Sequence, residues 1–553
     1  IAGTPARSEN PPAIERAEQE KIFADRIVFF LFFNDLSRLT LQTNRLTDPN
    51  MNRLSPKRRL LYAAFLLFPF ASLTAQVPIV PPADELNKPF GESDEEAFAS
   101  PPKVFYPETW FHYIGGNVSP KGITADLEAI AAAGFSGIQL FHGQFGGVWP
   151  GTESQIACLS PLWDDAVRHT AEECKRLGLR FTMQGCPGWA MAGGPWIKPE
   201  QAMRHLAWSR TDATSGASNV TLPVPQPSEE EWRDYRDVAV IAFPTPTDDT
   251  GKPLEPEDVR SNRAGDWKKF IKGEADAPMQ LSPAGENDPN WVEITFPEET
   301  VVRTVEFPSV NSLTHAWCYE PGVELTVQAI LPSGSAEDIL HTYLPQGSWQ
   351  DDRPVSLACT ETEGVRKYRI VIRNEHDMTL QSLRLFSAAR KNNWESEAGW
   401  TLRSIERNGQ SAEQSPDTYV KMSRIIDLSD KLNEDGSLDW KAPEGKWTVL
   451  RIGHVNTGMK NGPAPAEGTG WECDKLSTAG SDAQFDGYIG RLAKSGGPLA
   501  GGLLNGVLFD SWECKTQTWT PEMEKEFVER TGYGLRKWIP ALFGYVIDTP
   551  EET

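Results

Sequence analysis

The sequence predicts an α/β protein: an incomplete (β/α)8 TIM-type barrel of about five strands, interrupted by an inserted all-β, sandwich-like domain. Three observations predict it. Short apolar runs alternate with amphipathic helical stretches over residues 105–206 and again over 447–553, the grammar of parallel strands joined by crossover helices. Between them, residues 207–446 are turn-rich and carry short alternating runs at 238–243, 292–296, 301–307, 323–330, 368–372 and 379–385, an all-β composition. Several strands of the α/β stretches end in His, carboxylates or aromatics, where a barrel places its active site.

The chain opens on Ile1, and residues 1–50 have no clear periodicity; they read as a non-native upstream extension. The first methionine is Met51. Arg53, Lys57, Arg58 and Arg59 then precede an apolar run at 60–73, and small residues at Thr74 and Ala75 offer a cleavage point. Residues 51–75 therefore read as a signal peptide, which predicts a secreted or periplasmic protein. The run is short for a membrane span, so no span is expected in the mature protein. The competing reading is an authentic long N-terminus with an internal membrane anchor. Residues 76–104 are rich in Pro and acids and read as a linker.

Residues 106–113 alternate aromatic and polar side chains, as a strand does. Ser119 is a helix N-cap with Pro120 at the first helical position; Ile123, Leu127 and Ile130 line one face, and Gly134 ends the helix. A strand at 137–141 ends at His142. Ser160-Pro161 starts a second helix, expected to bury Leu162, Ala166, Thr170, Cys174 and Leu177, and Gly178 stops it. The strand at 179–184 runs into the glycine-rich loop Gly185-Cys186-Pro187-Gly188-Trp189, then Gly193-Gly194-Pro195-Trp196. After the β-rich insertion, 447–453 reads as a fourth barrel strand ending at His454, followed by a polar loop with Glu467, Glu472 and Asp474 and a helix around Phe485, Ile489 and Leu492. A fifth strand, Val507-Leu508-Phe509, delivers Asp510, Trp512 and Glu513, and a helix follows from Thr520-Pro521 to Gly532. Five strands do not close a barrel that needs eight, so the chain reads as a fragment whose natural continuation supplies the remaining three.

Composition narrows the chemistry. The 553 residues allow two to four domains. A formal net charge of −23 argues against a nucleic-acid or anionic-membrane partner. The seven Cys are scattered without a C-x-x-C pair, which argues against a zinc site and a disulfide framework. There is no G-x-S-x-G elbow, no P-loop and no dinucleotide-binding glycine fingerprint after a strand. Each of the 19 Trp has two readings, core packing or a platform for a sugar ring.

Carboxylates, aromatics and His at strand ends are the set that glycoside hydrolysis uses: an acid to protonate the leaving oxygen, a second carboxylate, and aromatic platforms. Glu513 beside Trp512, at a strand end expected to be half-buried, is the candidate general acid, its pKa raised by desolvation; the bland reading is a surface carboxylate. Trp189, His142, His454, Glu467, Glu472, Asp474, Asp510 and Trp512 are the candidate substrate-binding residues. The histidines read equally as hydrogen-bonded core imidazoles, and the loop acids as solvated surface groups.

Residues 109–143, 177–201, 450–475 and 508–532, with CPGW at 186–189, GGPW at 193–196 and DSWE at 510–513 in that order, resemble glycoside hydrolase family 106, the α-L-rhamnosidases. The resemblance covers roughly residues 100–206 and 425–548. It implies a calcium-dependent, inverting, exo-acting rhamnosidase on a (β/α)8 barrel with accessory β-domains, acting on terminal rhamnose of plant or algal polysaccharides or glycosides. It also implies that Glu513 is similar to the family's general acid, and that the general base and the calcium ligands belong to strands beyond Thr553; no metal ligand maps onto this sequence. The alternative is a carbohydrate-binding or catalytically inactive barrel fragment, in which the β-insert binds glycan without turnover.

Overall fold

In the computed structural model, residues 74–553 form one compact unit. The structure describes residues 76–553 except 144–146, 151–154, 219, 226–233, 276–277, 286, 310–321, 346, 349 and 404–411. The extension expected at 1–50 and the signal peptide expected at 51–75 lie outside the described residues. No helix among the described residues is long and apolar enough to cross a membrane.

Four strands, Glu108–His112, Gly137–Phe141, Arg180–Gln184 and Gly506–Leu508, form one sheet in that order, every pair parallel. All four C-terminal ends therefore lie along one edge. The helices between them start and stop where their caps require. Ser119 Oγ accepts from the Gly122 amide ahead of Pro120–Ala132, and Ser160 Oγ accepts from the Trp163 amide ahead of Pro161–Leu177. Gly178 ends the second helix in the left-handed conformation, φ +67°. Both helices and the segment 488–499 cover one face of the sheet around Ile138, Leu140, Phe181 and Met183. The buried stripe of Pro161–Leu177 is Trp163, Ala166, Val167, Thr170, Ala171 and Cys174, while Leu162, expected inside, is exposed. The large indole at 163 claims the seam, and Leu162 lies one residue, about 100°, away around the helix.

The strand expected at 447–453 is a correction. It is the centre of Lys446–Asn456, which pairs antiparallel with Arg204–Thr214 on one side and Arg236–Pro244 on the other. It belongs to a separate four-stranded antiparallel sheet, so four described strands are parallel rather than five. A continuously buried apolar strand looks the same in either setting. The helix expected from Thr520-Pro521 to Gly532 begins at Met523 and is ended by Gly532, and its partly buried Met523 and Phe527 pack with Ile539 and Phe543 on this antiparallel sheet.

Residues 254–386 form two larger antiparallel sheets and a two-stranded one of Met279–Leu281 with Met378–Leu380. Of the two larger, one has five strands, in the order Ala336–Tyr343, Val323–Ile330, Lys367–Asn374, Asn290–Thr295 and Asp258–Ser261. The other has three, with Thr304–Phe307 between Val355–Ala358 and Arg384–Phe386. Val292, Ile294, Leu325, Val327, Ile370 and Ile372 from the first meet Val305, Phe307, Leu357 and Leu385 from the second in one apolar core. All six described Cys are free and buried.

Candidate active site

The C-terminal edge of the parallel sheet is stitched by backbone hydrogen bonds between its loops. The Tyr113 amide donates to the Phe141 carbonyl (2.7 Å), Gly188 to His142 (3.1 Å), Gly185 to Leu508 (2.7 Å) and Trp189 to Pro463 (3.2 Å). The glycine of CPGW is required there. Gly188 has φ +86°, and a Cβ on it would lie 2.1 Å from the Pro463 carbonyl oxygen. Gly194 and Gly470 meet in the same way, with a Cβ on Gly470 falling 2.0 Å from the Gly194 oxygen. The 456–475 loop is thereby seated directly on the CPGW…GGPW loop.

Aromatic rings gather at the first strand's end. His112 lies 5.9 Å from Trp189 and 5.3 Å from Phe141, and Trp110 packs 5.3 Å from Phe141. Trp110 is 60% exposed. His112 Nε2 is buried with no hydrogen-bond partner among the described residues, and burial lowers its pKa. Trp189 is half-buried, its indole against Gly143. Trp196, by contrast, is packing: it stacks 5.5 Å over the buried Tyr488 and donates to Gln484.

Glu513 sits at the end of the fourth parallel strand and is exposed, a correction to the half-buried strand end expected of it. No apolar wall encloses it among the described residues, because Phe509 and Trp512 beside it are themselves exposed. Its Oε1 accepts from Ser511 Oγ at 2.9 Å, and the Ser511 amide donates to Asp510 Oδ1 at 2.8 Å. Ser511 Oγ also lies 3.4 Å from Asp510, so one hydroxyl stands between the two carboxylates.

Behind this loop lies a buried ion pair. Lys475 Nζ donates to Glu472 Oε2 at 2.7 Å, contacts Cys514 Sγ at 3.5 Å, and lies 4.4 Å over the Trp512 ring. Glu472 is 1% exposed and burial raises its pKa. Burial is the largest single effect on Lys475 and lowers its pKa, but the charge and hydrogen bond of Glu472, together with Cys514 and Cys473, outweigh it and the net shift is upward. Asp474 is also buried. Its Oδ2 accepts from Thr520 Oγ1 (2.9 Å) and its Oδ1 from Gln517 Nε2 and the Leu476 amide (3.0 Å). Both acids were open to reading as solvated loop groups; the structure buries both and turns them inward. Glu467 is exposed, and its charge is felt by His142.

The two histidines separate. His142 is at the parallel edge but sealed: its Nδ1 accepts from Trp163 Nε1 at 2.9 Å, and burial pulls its pKa down to about 4. His454, expected at the same mouth, belongs to the antiparallel sheet. Arg204 Nε donates to its Nδ1 at 2.5 Å, and burial together with that guanidinium takes its pKa down to about 3. Both rings are neutral acceptors held by a neighbour.

The comparisons with known proteins bear on this edge. Residues 99–553 match the model of the glycoside hydrolase 106 family, described as alpha-L-rhamnosidase. The chain belongs to this family. A solved rhamnosidase from Novosphingobium sp. PP1Y superposes with a TM-score of 0.65 at 27% identity, over 83% of this chain and 43% of that one. A protein named "Putative beta-glucuronidase" from Formosa agariphila is 28% identical over 459 residues, 83% of this chain and 27% of its own length. The chain thus spans less than half of either protein.

In this glycoside hydrolase 106 member, neither Lys475 nor Lys515 is marked by the sequence as part of the site. Lys515, at φ +63°, is gripped from outside its own loop. Its amide donates to Gln350 Oε1 at 2.9 Å, and its Nζ pairs with Asp352. Its carbonyl accepts from Trp512 Nε1 at 2.5 Å. Gln350 and Asp352 come from the all-β body, more than 150 residues earlier, and no motif marks them. Among the described residues no group of three or more His, Cys, Asp or Glu converges as a metal site. No calcium ligand is assigned among the described residues, and no step is derived through the metal.

Proposed function

We propose that this chain carries the acid half of the catalytic site of an inverting, exo-acting α-L-rhamnosidase that removes terminal rhamnose from plant or algal polysaccharides or glycosides. The observation that carries it is the parallel pairing of Gly506–Leu508 with Arg180–Gln184, which brings Asp510–Glu513 to the edge where Gly185–Trp189 already lies. In this reading the four parallel strands are part of a (β/α)8 barrel, the two facing antiparallel sheets are an inserted sandwich, and the leader beginning at Met51 exports the protein. Glu513 protonates the departing aglycone oxygen. A second carboxylate, not assigned among the described residues, activates water on the opposite face of the ring, with the two carboxyls about 6.5–9.5 Å apart. Trp189 offers an apolar face to the ring and its C6 methyl. Ser511 holds Glu513 toward Asp510, and the Glu472–Lys475 pair holds Trp512.

The test is a substrate panel: p-nitrophenyl α-L-rhamnoside and p-nitrophenyl β-D-glucuronide, each with and without a calcium chelator. The proposal expects release from the rhamnoside alone, lost on chelation and restored by calcium. Release from the glucuronide alone would replace the substrate assignment, and chelator-resistant rhamnoside cleavage would remove calcium from it.

A further inference from the structure

We propose that the outer face of the five-stranded sheet is a second, non-catalytic site that binds neutral polysaccharide chains. Strand alternation divides the side chains of Val323–Ile330 and Lys367–Asn374 between two faces. Leu325, Val327, Ile370 and Ile372 enter the core. Glu324, Thr326, Gln328, Val371 and Arg373 line a groove on the other face, together with His341 and Tyr343 of Ala336–Tyr343. The groove holds about 1200 Å³. That exceeds the roughly 300–1,000 Å³ of a small-molecule pocket and suits several linked sugar rings.

Its lining has three properties that select the ligand. The first is an exposed ring: Tyr343 is 53% exposed at the rim, set edge-on to His341 at 6.2 Å, and offers a flat face to pyranose C–H groups. The second is paired donors and acceptors. Glu324 Oε1 lies 3.3 Å from Arg373 and 3.5 Å from His341, Thr326 Oγ1 lies 3.0 Å from His341 Nδ1, and Gln328 donates to Asp338 at 2.8 Å. Arg373 Nε is buried without a hydrogen-bond partner. A sugar hydroxyl both donates and accepts, so it can bridge such pairs and answer the orphaned donor. The third is charge. Glu324, Asp338 and Glu375 line the groove against a single guanidinium, Arg373, an acidic excess that repels polyuronates and sulfated chains and leaves neutral ones. The proposal does not rest on the rhamnosidase reading, because none of these residues belongs to the parallel edge.

The test is affinity electrophoresis of the full chain in gels containing a neutral galactomannan, a neutral β-glucan, a neutral rhamnan or polygalacturonate. The proteins compared are wild type, Tyr343→Ala, Arg373→Gln and Glu513→Gln, with thermal melts confirming that each is folded. At least one neutral polymer is expected to retard the wild type and Glu513→Gln equally. Tyr343→Ala and Arg373→Gln should weaken that retardation about tenfold or more, and polygalacturonate should retard none of them. Because Tyr343 is exposed, its variant keeps the test decisive if Arg373→Gln fails to fold. Three results would overturn the proposal: no retardation by any neutral polymer, equal retardation of wild type and Tyr343→Ala, or tighter binding to polygalacturonate. Retardation lost in Tyr343→Ala while glycosidase activity is unchanged separates this site from the catalytic reading.

Discussion

Lys475 holds its ammonium 4.4 Å above the ring of Trp512, the residue before Glu513, while the same ammonium pairs with the buried carboxylate of Glu472 at 2.7 Å. The loop that presents the candidate acid is thus anchored to the protein interior through a charge.

Removing that charge has a defined cost. Lys475→Met leaves Glu472, 1% exposed, without its partner, and breaking a buried pair costs about 3–5 kcal/mol. Burial already raises the Glu472 pKa, so protonation relieves part of the loss in acid. Urea unfolding should show a larger deficit at pH 8 than at pH 5, and Glu472→Gln in the same background should recover part of it. An equal deficit at both pH values would contradict the arrangement.

Asp474 ties the loop before the fourth parallel strand to the segment after it. Asp474→Ala frees the Thr520 hydroxyl, the Gln517 amide and the Leu476 amide, each a bond to a charged acceptor worth about 1.5–3 kcal/mol. The expected result is a loss of at least about 3 kcal/mol in unfolding free energy and faster proteolysis within 515–522. Asp474→Asn, which keeps one acceptor oxygen, should lose less. Unchanged proteolysis would show that Asp474 does not hold this segment.

His142 sets part of the acid limit. Its folded pKa, about 4, lies below the ordinary imidazole value of 6.5, so below pH 6.5 the unfolded chain takes up a proton that the folded chain refuses. Stability is full above that pH and falls as pH drops toward 4, by about 1.4 kcal/mol per unit. Between pH 7 and pH 5 this one group costs about 2 kcal/mol. His142→Gln, which can still accept from Trp163 but does not titrate, should flatten the decline by that amount in urea titrations at the two pH values.

Much of this was legible in the chain. Ser119-Pro120 and Ser160-Pro161 are caps with a local mechanism, and the helices begin there. CPGW and GGPW mark glycines that backbone contact demands. What could not be read was pairing. Residues 447–453 and 506–508 are both apolar strands, and only partners hundreds of residues distant make one antiparallel and the other parallel. The site shows the same divide. The placing of Glu513 after a strand could be read from the apolar run before it. Lys475 and the Gln350–Asp352 contact could not, because their roles depend on the fold bringing a distant segment against Trp512 and Lys515.

The most direct test of the central claim, that Glu513 is the proton donor, is the leaving-group dependence of Glu513→Gln. kcat/KM is measured on an activated aryl α-L-rhamnoside such as 2,4-dinitrophenyl, and on an alkyl α-L-rhamnoside whose oxygen leaves only when protonated. The account predicts a loss of at least about 10²-fold on the alkyl rhamnoside, the usual scale of general acid catalysis, with much of the aryl activity retained. Equal loss on both substrates would contradict it.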